Sequence, residues 1–587
     1  MLIKSIVNDL CRPLCTDIFG AVASWTTPID IPAAEAAALK AFFDATGGTG
    51  WTNSTGWGTS ATAASYQGVT VTAGHVTAIS LPANNLTGAA GTTLDPLAAT
   101  LATLDLEGNA FDYDWYVDSV NGSDLNSGTQ PDQALQTIAA LSAKPIVSGQ
   151  KIGLARGSLW REQLTITTDD LTIDAFGSGD KPILDCADIV SAGWSKTDGY
   201  TNIYQVTLTT NYVVSQPAFC SVWEGPARLP ASISLAALDT APGTYYVETS
   251  NTTTPTVYIH ATGSGDPSSN GKVYEMATRL SGIYAKGADS GTVRNVVCKR
   301  NLANNGAIQV GRSWHIEDVL ASDGSKHNLL YGDGCTLSLV VASGAYYTAS
   351  ATMFVYNEDV PASLGVTHNF CQATLPSYGA LFCGFHGHKN TSGDFGDVVF
   401  NSCVVSNVFQ GFLCNDADIS INNTTASCKY LIQTGAPTQY IVNGGTYTNI
   451  GETPRIISFE SNNASVSLQN LTMTLNNMAS GGMFYSTKEG TSLSLVGCTI
   501  NYNTNAIWVA YFTGAGCNLT ANGNRFNVNR SLHFYVPTDA TISSDNNSFA
   551  YATPNFTVGA TTYKTLAEWQ AGTGQDTNST ISPYVAP

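Results

Sequence analysis

Beyond residue 280 short apolar runs return at a steady interval along the chain. Leu329 (HNLLYGD), Met353 (TMFVYNE), Leu381 (ALFCGFH), Phe412 (GFLCND), Leu431 (YLIQTG), Ile457 (RIISFES), Phe484 (MFYSTK), Trp508 (AIWVAYF) and Phe534 (LHFYVP) recur on average every 25.6 residues or so. Between them runs a second strand family, including LSLVVASG, GVTHNFCQA, DVVFNSCVV, SVSLQNLTM, SLSLVGCTI and NLTANGNRF, with Asn and Gly at the boundaries. Two or three strands per repeat, joined by sharp turns, is the requirement of a solenoid coil, because the chain must change direction several times per rung. Helical periodicity is nearly absent here, which excludes barrels built on β–α alternation. The spacing predicts a main solenoid over 281–550. A cap over 551–587 follows, where Leu566 and Trp569 in YKTLAEWQAGTGQDTNST form an amphipathic turn able to shield the last open rung.

The N-terminal part reads differently. Residues 1–30 place Ile3, Val7, Leu10, Leu14 and Ile18 at helical spacing, with Pro13 kinking or splitting the helix, and a single apolar stripe of this kind suits a docking segment. Lys4, Asp9, Arg12 and Asp17 interrupt it, so no secretory signal is expected, and no run reaches the ~18 apolar residues of a membrane span. Over 31–112, a shift of 25 residues lays Ile79, Leu81, Asn84 and Leu86 over Leu104, Leu106, Asn109 and Phe111. This neck resembles a plant-type leucine-rich repeat with a tryptophan-bearing cap. Its two repeats fall short of the three or so that stabilise a free solenoid, so it is expected to act as spacer or cap. Residues 113–199 begin with WYVDSVNGSDLNSGTQPDQALQTIAAL, a strand, a polar turn and an amphipathic helix carrying Leu135, Ile138 and Leu141. That segment resembles the opening of right-handed parallel β-helix proteins of the pectate-lyase-like superfamily. Residues 200–280 alternate as TYYVET, TVYIHA and KVYEMA and predict a small inserted β-subdomain. The expected fold class is therefore all-β, a right-handed parallel β-helix.

Composition narrows the partners. Of 587 residues 43% are hydrophobic but only 12% are charged, and the formal net charge is −19. A non-specific electrostatic hold on nucleic acid or on an anionic membrane is thereby disfavoured, while neutral polymers stay open. The 13 cysteines are odd in number and carry no CxxC pairs or zinc spacing, so free buried thiols are expected rather than disulfides, in keeping with folding in a reducing cytoplasm. No nucleotide, metalloprotease or serine-hydrolase motif is present, and no cofactor or metal is expected.

Candidate chemistry concentrates in one stretch. Five of the eight histidines (His315, His327, His368, His386, His388) fall between 315 and 388, alongside Asp323, Lys326, Asp333, Glu358, Asp359, Lys389, Asp394 and Asp397. Aligning coils on the apolar strand sets Asp333, Glu358, His386 and Asp416 at matching strand exits on four successive rungs. Rungs ~4.8 Å apart put neighbours about 5 Å and next-nearest about 10 Å apart. These separations bracket the carboxylate spacings of retaining and inverting glycosidases, one carboxyl protonating the leaving oxygen and the other attacking or activating water. Asp333 with Glu358 is the first pairing, with Glu358 as general acid; Glu358 with Asp416 is the second. His386 orients substrate or tunes the pair, and Lys326, His327, Tyr331, Tyr356, His388 and Lys389 are substrate-binding candidates. Tyr378 and Phe385 offer further aromatic faces. Turn or corner roles for the acids, and core roles for the aromatics, are the alternatives.

Taken together, the docking-type N-terminus, the repeat-like neck, the acidic β-helix and the capped end resemble a bacteriophage tailspike carrying a polysaccharide depolymerase. That resemblance implies a homotrimer in the virion tail, attached to a tail or baseplate protein through residues 1–30 and acting on a bacterial surface polysaccharide or exopolysaccharide. No catalytic motif is shared, so no site residue carries over from it. Lys326, Lys389, Lys429 and Arg455 are the only fixed cations between 320 and 460, which favours a glycoside hydrolase over a uronate lyase. A lyase using Lys326 and His327, and a spike that grips glycan without cutting it, are the other readings.

Overall fold

The computed structural model describes residues 25–583 except 88–90, 98–99, 107–108, 110–112, 130, 209–219, 249–254, 303–304, 345–350, 358–364, 375–382, 390–396, 415–417, 435–438, 451–454, 477–481, 503–506, 529–531 and 551–554. The helix expected within residues 1–30 lies outside the described residues up to Ser24. The chain divides into two units, one ending at Asp112 and the other beginning at Tyr113.

In the first unit the helix Ala33–Ala45 buries Ala36, Leu39 and Phe42. Phe42, Phe43, Trp51, Trp57 and Tyr66 form an aromatic cluster, with Trp51 and Trp57 ring centroids 4.9 Å apart. A hairpin of Val69–Thr72 and His75–Ser80 is joined by the parallel strand Thr103–Asp105, with Ile79 opposite Leu104. The Asn109 amide oxygen accepts the Asn84 N–H, and its NH₂ donates to the Leu81 carbonyl at 2.8 Å. This side chain satisfies backbone groups of the turn 25 residues earlier.

The second unit is a parallel β-solenoid of about 13 turns. Most coils contribute one strand to each of three parallel sheets, while Val404–Cys414 serves two of them and Ile419–Thr434 runs through all three. Ile308–Val310, His315–Glu317 and Leu320–Ser322 are followed by Leu329–Tyr331, Thr336–Ser338 and Val341–Ser343, each paired with its counterpart. The interior is built from rows of stacked side chains. In the first sheet the register aligns Ile308, Leu329, Met353, Phe385, Phe412, Ile432, Ile457, Phe484, Ala510 and Phe534, and from Phe385 onward every one of them is buried. Six of the nine expected row positions stand in it. Leu381, Leu431 and Trp508 are replaced by Phe385, Ile432 and Ala510, because coil length varies more than an average period allows.

The corner between second and third sheets explains the Asn and Gly punctuation. Asn295, Asp318, Leu339, Phe370, Ser402, Asn423, Gly444, Asn470, Gly497, Gly523 and Asn546 occupy it in turn, all at positive φ. That region suits Gly and, among the others, chiefly Asn and Asp. Just before it, Asn369, Asn401 and Asn422 form an amide ladder, in which Asn401 donates to the Asn369 Oδ1 and Asn422 to the Asn401 Oδ1, both at 2.9 Å. Ten cysteines between Cys186 and Cys517 are buried.

Both ends are closed by helices. Ile138–Ser142, capped by Thr137, buries Ile138 and Leu141 at the start. Leu566–Thr573 ends the solenoid, with Trp569 stacked 4.4 Å from Phe556 and its indole N–H donating to Asp576 at 2.9 Å. The inserted subdomain has two four-stranded antiparallel sheets and its own core around Val222, Tyr245, Ile259 and Met276. It begins at Ala187, ahead of position 200, because Ala187–Ile189 pairs antiparallel with Tyr274–Ala277 rather than with a coil.

Candidate functional site

The first sheet gathers part of the expected constellation. Strands Ala351–Asn357 and Cys383–Lys389 lie side by side, placing Phe354 beside His386, Tyr356 beside His388 and Asn357 beside Lys389. On the preceding rung Tyr331 pairs with Val355, and on the following one Gly387 pairs with Cys414. Glu358 and Asp416 lie outside the described residues; Glu358 directly follows Ala351–Asn357, and Asp416 follows Val404–Cys414 two residues on. Tyr378 and Asp394 are outside them as well.

The expected four-rung ladder is corrected at His386. It stands level with Phe354 and Leu413, and Lys389 is the residue level with Asn357. The cause is coil length: Leu329 and Met353 are 24 residues apart, whereas Met353 and Phe385, partners on the next rung, are 32 apart. Asp333 sits two residues past Tyr331 in the turn to the second sheet. It is only 1% exposed, and its carbonyl accepts the Ser313 N–H at 2.9 Å.

Tyr331 is also corrected, from sugar contact to core. Its side chain shares the interior with that of Leu329, and its hydroxyl lies 2.6 Å from His368 Nε2. Phe385 is interior too, stacked 5.5 Å from Phe412. Lys326 and His327 occupy the turn leading into Leu329–Tyr331, at the opposite edge of the first sheet from Asp333. His327 is buried; Lys326 is half-buried, and burial holds its amine below the ordinary lysine range. Ser325 in that turn lies 3.0 Å from Ser221 of the inserted subdomain. The structure thus brings Tyr356, His386, His388 and Lys389 onto two adjacent rungs but sets Lys326 and His327 apart from them.

A charged cluster escaped the sequence reading. Where the solenoid meets the inserted subdomain, a cleft of about 420 Å³ is lined by Arg161, Asp185, Trp223, Glu275, Lys299 and Arg300, among others. Arg300, at φ 63°, donates from Nε to Asp185 at 2.9 Å and from Nη2 to Glu275 at 3.0 Å; its guanidinium lies 5.2 Å from the Trp223 ring. Arg161 adds a 2.6 Å bond to Glu275. Burial works against ionisation of Glu275, yet the hydrogen bonds and charges of Arg300 and Arg161 hold its carboxyl below the usual range. A second chain of contacts links Tyr113 to Asp174 at 3.0 Å, Asp174 to Arg294 at 2.6 Å, and His315 to Glu317 at 3.6 Å. Burial likewise opposes ionisation of Glu317, yet the neighbouring His315 and the charge of Arg294 hold its carboxyl below the usual range, so Glu275 and Glu317 bind and brace rather than deliver a proton. The clusters' one sequence signal was Arg294, Lys299 and Arg300 within seven residues of a charge-poor chain. Among the described residues no group of three or more His, Cys, Asp or Glu is placed to hold a metal ion, and no helix is long and apolar enough to cross a membrane.

No protein-family model matches this chain, and no curated protein matches it. Among solved structures it is similar to the complex of XylC with xylose, at 11% identity and a TM-score of 0.49, covering 73% of this chain and 85% of that one. It is also similar to a glycoside hydrolase (9% identity, TM-score 0.43, 70% and 96% covered) and to the GH136 lacto-N-biosidase from Eubacterium ramulus (11% identity, TM-score 0.25, 80% and 68% covered).

Proposed function

We propose that this protein is a tailspike-type depolymerase that hydrolyses glycosidic bonds of a bacterial surface polysaccharide. The observation that carries the reading is the register on the first sheet: the strand ending in His388 and Lys389 lies between the strands that lead to Glu358 and Asp416. Those two strands are two rungs apart, or ~9.6 Å, close to the separation at which one carboxyl protonates the leaving oxygen while the other activates water. The burial of Asp333 favours this second pairing over Asp333 with Glu358. Glu358 then acts as general acid and Asp416 as general base, with Tyr356, His386, His388 and Lys389 positioning the sugar. Trimeric assembly and attachment through residues 1–30 belong to the same reading and are supported by the sequence resemblance alone.

Reducing-end release from bacterial exopolysaccharides tests it. Glu358→Gln should cut turnover by ~10²-fold or more, the usual scale for losing a positioned acid, while glycan binding persists. The first product should carry inverted anomeric configuration by NMR. Near wild-type turnover in both Glu358→Gln and Asp416→Asn refutes the site. One observation favours a lyase as the second reading: the depressed amine of Lys326 is suited to removing a proton beside a uronate carboxylate. Ultraviolet absorbance from an unsaturated product separates the two.

A further inference from the structure

C-terminal to the candidate site, the register position next to the interior row of the first sheet changes character. His386, Leu413, Gln433, Ser458, Tyr485, Tyr511 and Tyr535 follow one another, one per rung, in continuous register. The Tyr485 and Tyr511 rings stack at 5.9 Å and 11°, and those of Tyr511 and Tyr535 at 5.1 Å and 26°. The Arg455 guanidinium lies 3.6 Å from the Tyr485 ring and donates to the Ser458 hydroxyl at 3.1 Å. That hydroxyl donates to Glu460 at 2.5 Å.

Two features mark this stripe as a surface built for contact. The neighbouring inward positions on the same strands are Phe484, Ala510 and Phe534, all buried, so hydroxylated rings are used where the aromatic stays half-exposed. A β-bulge between Trp508 and Ala510 also shifts the register. With Val509 and Ala510 both buried, the extra residue lets Trp508 share the outward side with Tyr511; bulges recur where a side chain has to be re-aimed. Trp508 meets Tyr511 at 61° and Tyr535 at 85°, with centroids 5.5 and 6.0 Å apart. The tyrosines cover one another's faces, whereas the indole plane stands across theirs and runs along the row.

We propose that Arg455, Tyr485, Tyr511, Tyr535 and Trp508 form a glycan-binding track for a neutral pyranose chain, laid along the row towards His386. The choice of glycan rests on the depolymerase reading above. Six rungs separate His386 from Tyr535, ~29 Å, the scale of a short oligosaccharide. Arg455 and Glu460 share the Ser458 hydroxyl, so one cation and one carboxylate offset each other and the stripe has no excess charge for an anionic polymer. Its half-exposed Tyr rings carry hydroxyls that suit sugar hydroxyls better than the apolar surface of a second copy.

The test is electrophoresis of the full-length protein through gels containing dextran, galactomannan or xyloglucan, with alginate as the anionic control. Retardation by a neutral polymer and not by alginate is expected. Trp508→Ala and Tyr511→Ala should each weaken it about 10-fold or more, the scale of an aromatic hot spot. Arg455→Ala, at a half-exposed position, serves as the third variant if either of those fails to fold by circular dichroism. Failure of every neutral polymer to retard the protein overturns the proposal, as does unchanged retardation of the variants. A fall in assembly mass without a change in retardation assigns the stripe to a second copy and overturns it too. Trp508-dependent binding with no cleavage of any polymer leaves the track standing and removes the hydrolase reading; cleavage with an unchanged KM in Trp508→Ala does the reverse.

Discussion

His368 gives the sharpest test of the packing argument. It occupies the interior row of the second sheet, where the neighbouring rungs carry Ile316 and Leu337 on one side and Phe400, Ile421 and Val442 on the other. Its ring stacks on Phe400 at 4.3 Å and 18°. Nδ1 lies 3.2 Å from the Val399 carbonyl, which can only accept, so Nδ1 carries the proton and Nε2 accepts from the Tyr331 hydroxyl at 2.6 Å. Burial pushes the imidazole from 6.5 down to about 3, the Val399 bond recovering little of that shift. The unfolded chain therefore takes up the proton first. The stability held by neutral His368 is complete above the ordinary histidine value and is lost as pH falls towards the folded-state value. From the ordinary value to pH 5 is ~1.5 units, or about 2 kcal/mol.

Urea unfolding followed by circular dichroism at about pH 7 and about pH 5 measures this, with wild type compared with His368→Leu/Tyr331→Phe so that the carboxylates common to both cancel. Tyr331→Phe alone should cost about 1–3 kcal/mol at neutral pH, because it strands a buried acceptor. The double variant removes both partners, should recover most of that loss, and should lose about 2 kcal/mol less than wild type on acidification. Equal pH dependence in the two proteins refutes the assignment of His368 as a neutral core residue.

Three further outcomes follow from the same packing. Trp569→Ala removes the stack on Phe556 and the bond to buried Asp576; it should cost about 3–5 kcal/mol, with hydrogen exchange rising first in the final coil. Asn401→Leu breaks the amide ladder in its middle, leaving Asn369 and Asn422 each short of one bond, and should lower the urea midpoint by about 1–3 kcal/mol equivalent. The ten cysteines with buried side chains should resist a thiol reagent in the native state and react on unfolding, because the reagent cannot reach them, and burial also pushes the Cys335 thiol up to about 12; rapid native reaction of more than the remaining three refutes the interior placement.

The coils were legible because their chemistry is local. A corner at positive φ selects Asn, Asp or Gly, and an inward row selects apolar side chains, so both leave marks on the sequence; where Leu339 and Phe370 take the corner instead, the mark vanishes. Register is not local. It depends on how many residues each coil spends in its turns, and the interval from Met353 to Phe385 exceeds that from Leu329 to Met353 by eight. Placing Leu381 in the row instead of Phe385 is a slip of four residues, ~13 Å along a strand. An even slip keeps inward and outward faces correct, so the hydrophobic pattern gives no warning. It nonetheless carries His386 away from the strand exit and brings Lys389 level with Asn357. The ion clusters were hidden for a related reason: Asp185 meets Arg300 across 115 residues, a distance set by the inserted subdomain and by no periodicity in the chain. A catalytic ladder on a solenoid is therefore a statement about turn lengths, and Glu358 and Asp416 keep their candidacy because the strands before them, unlike the one holding His386, retain the expected register.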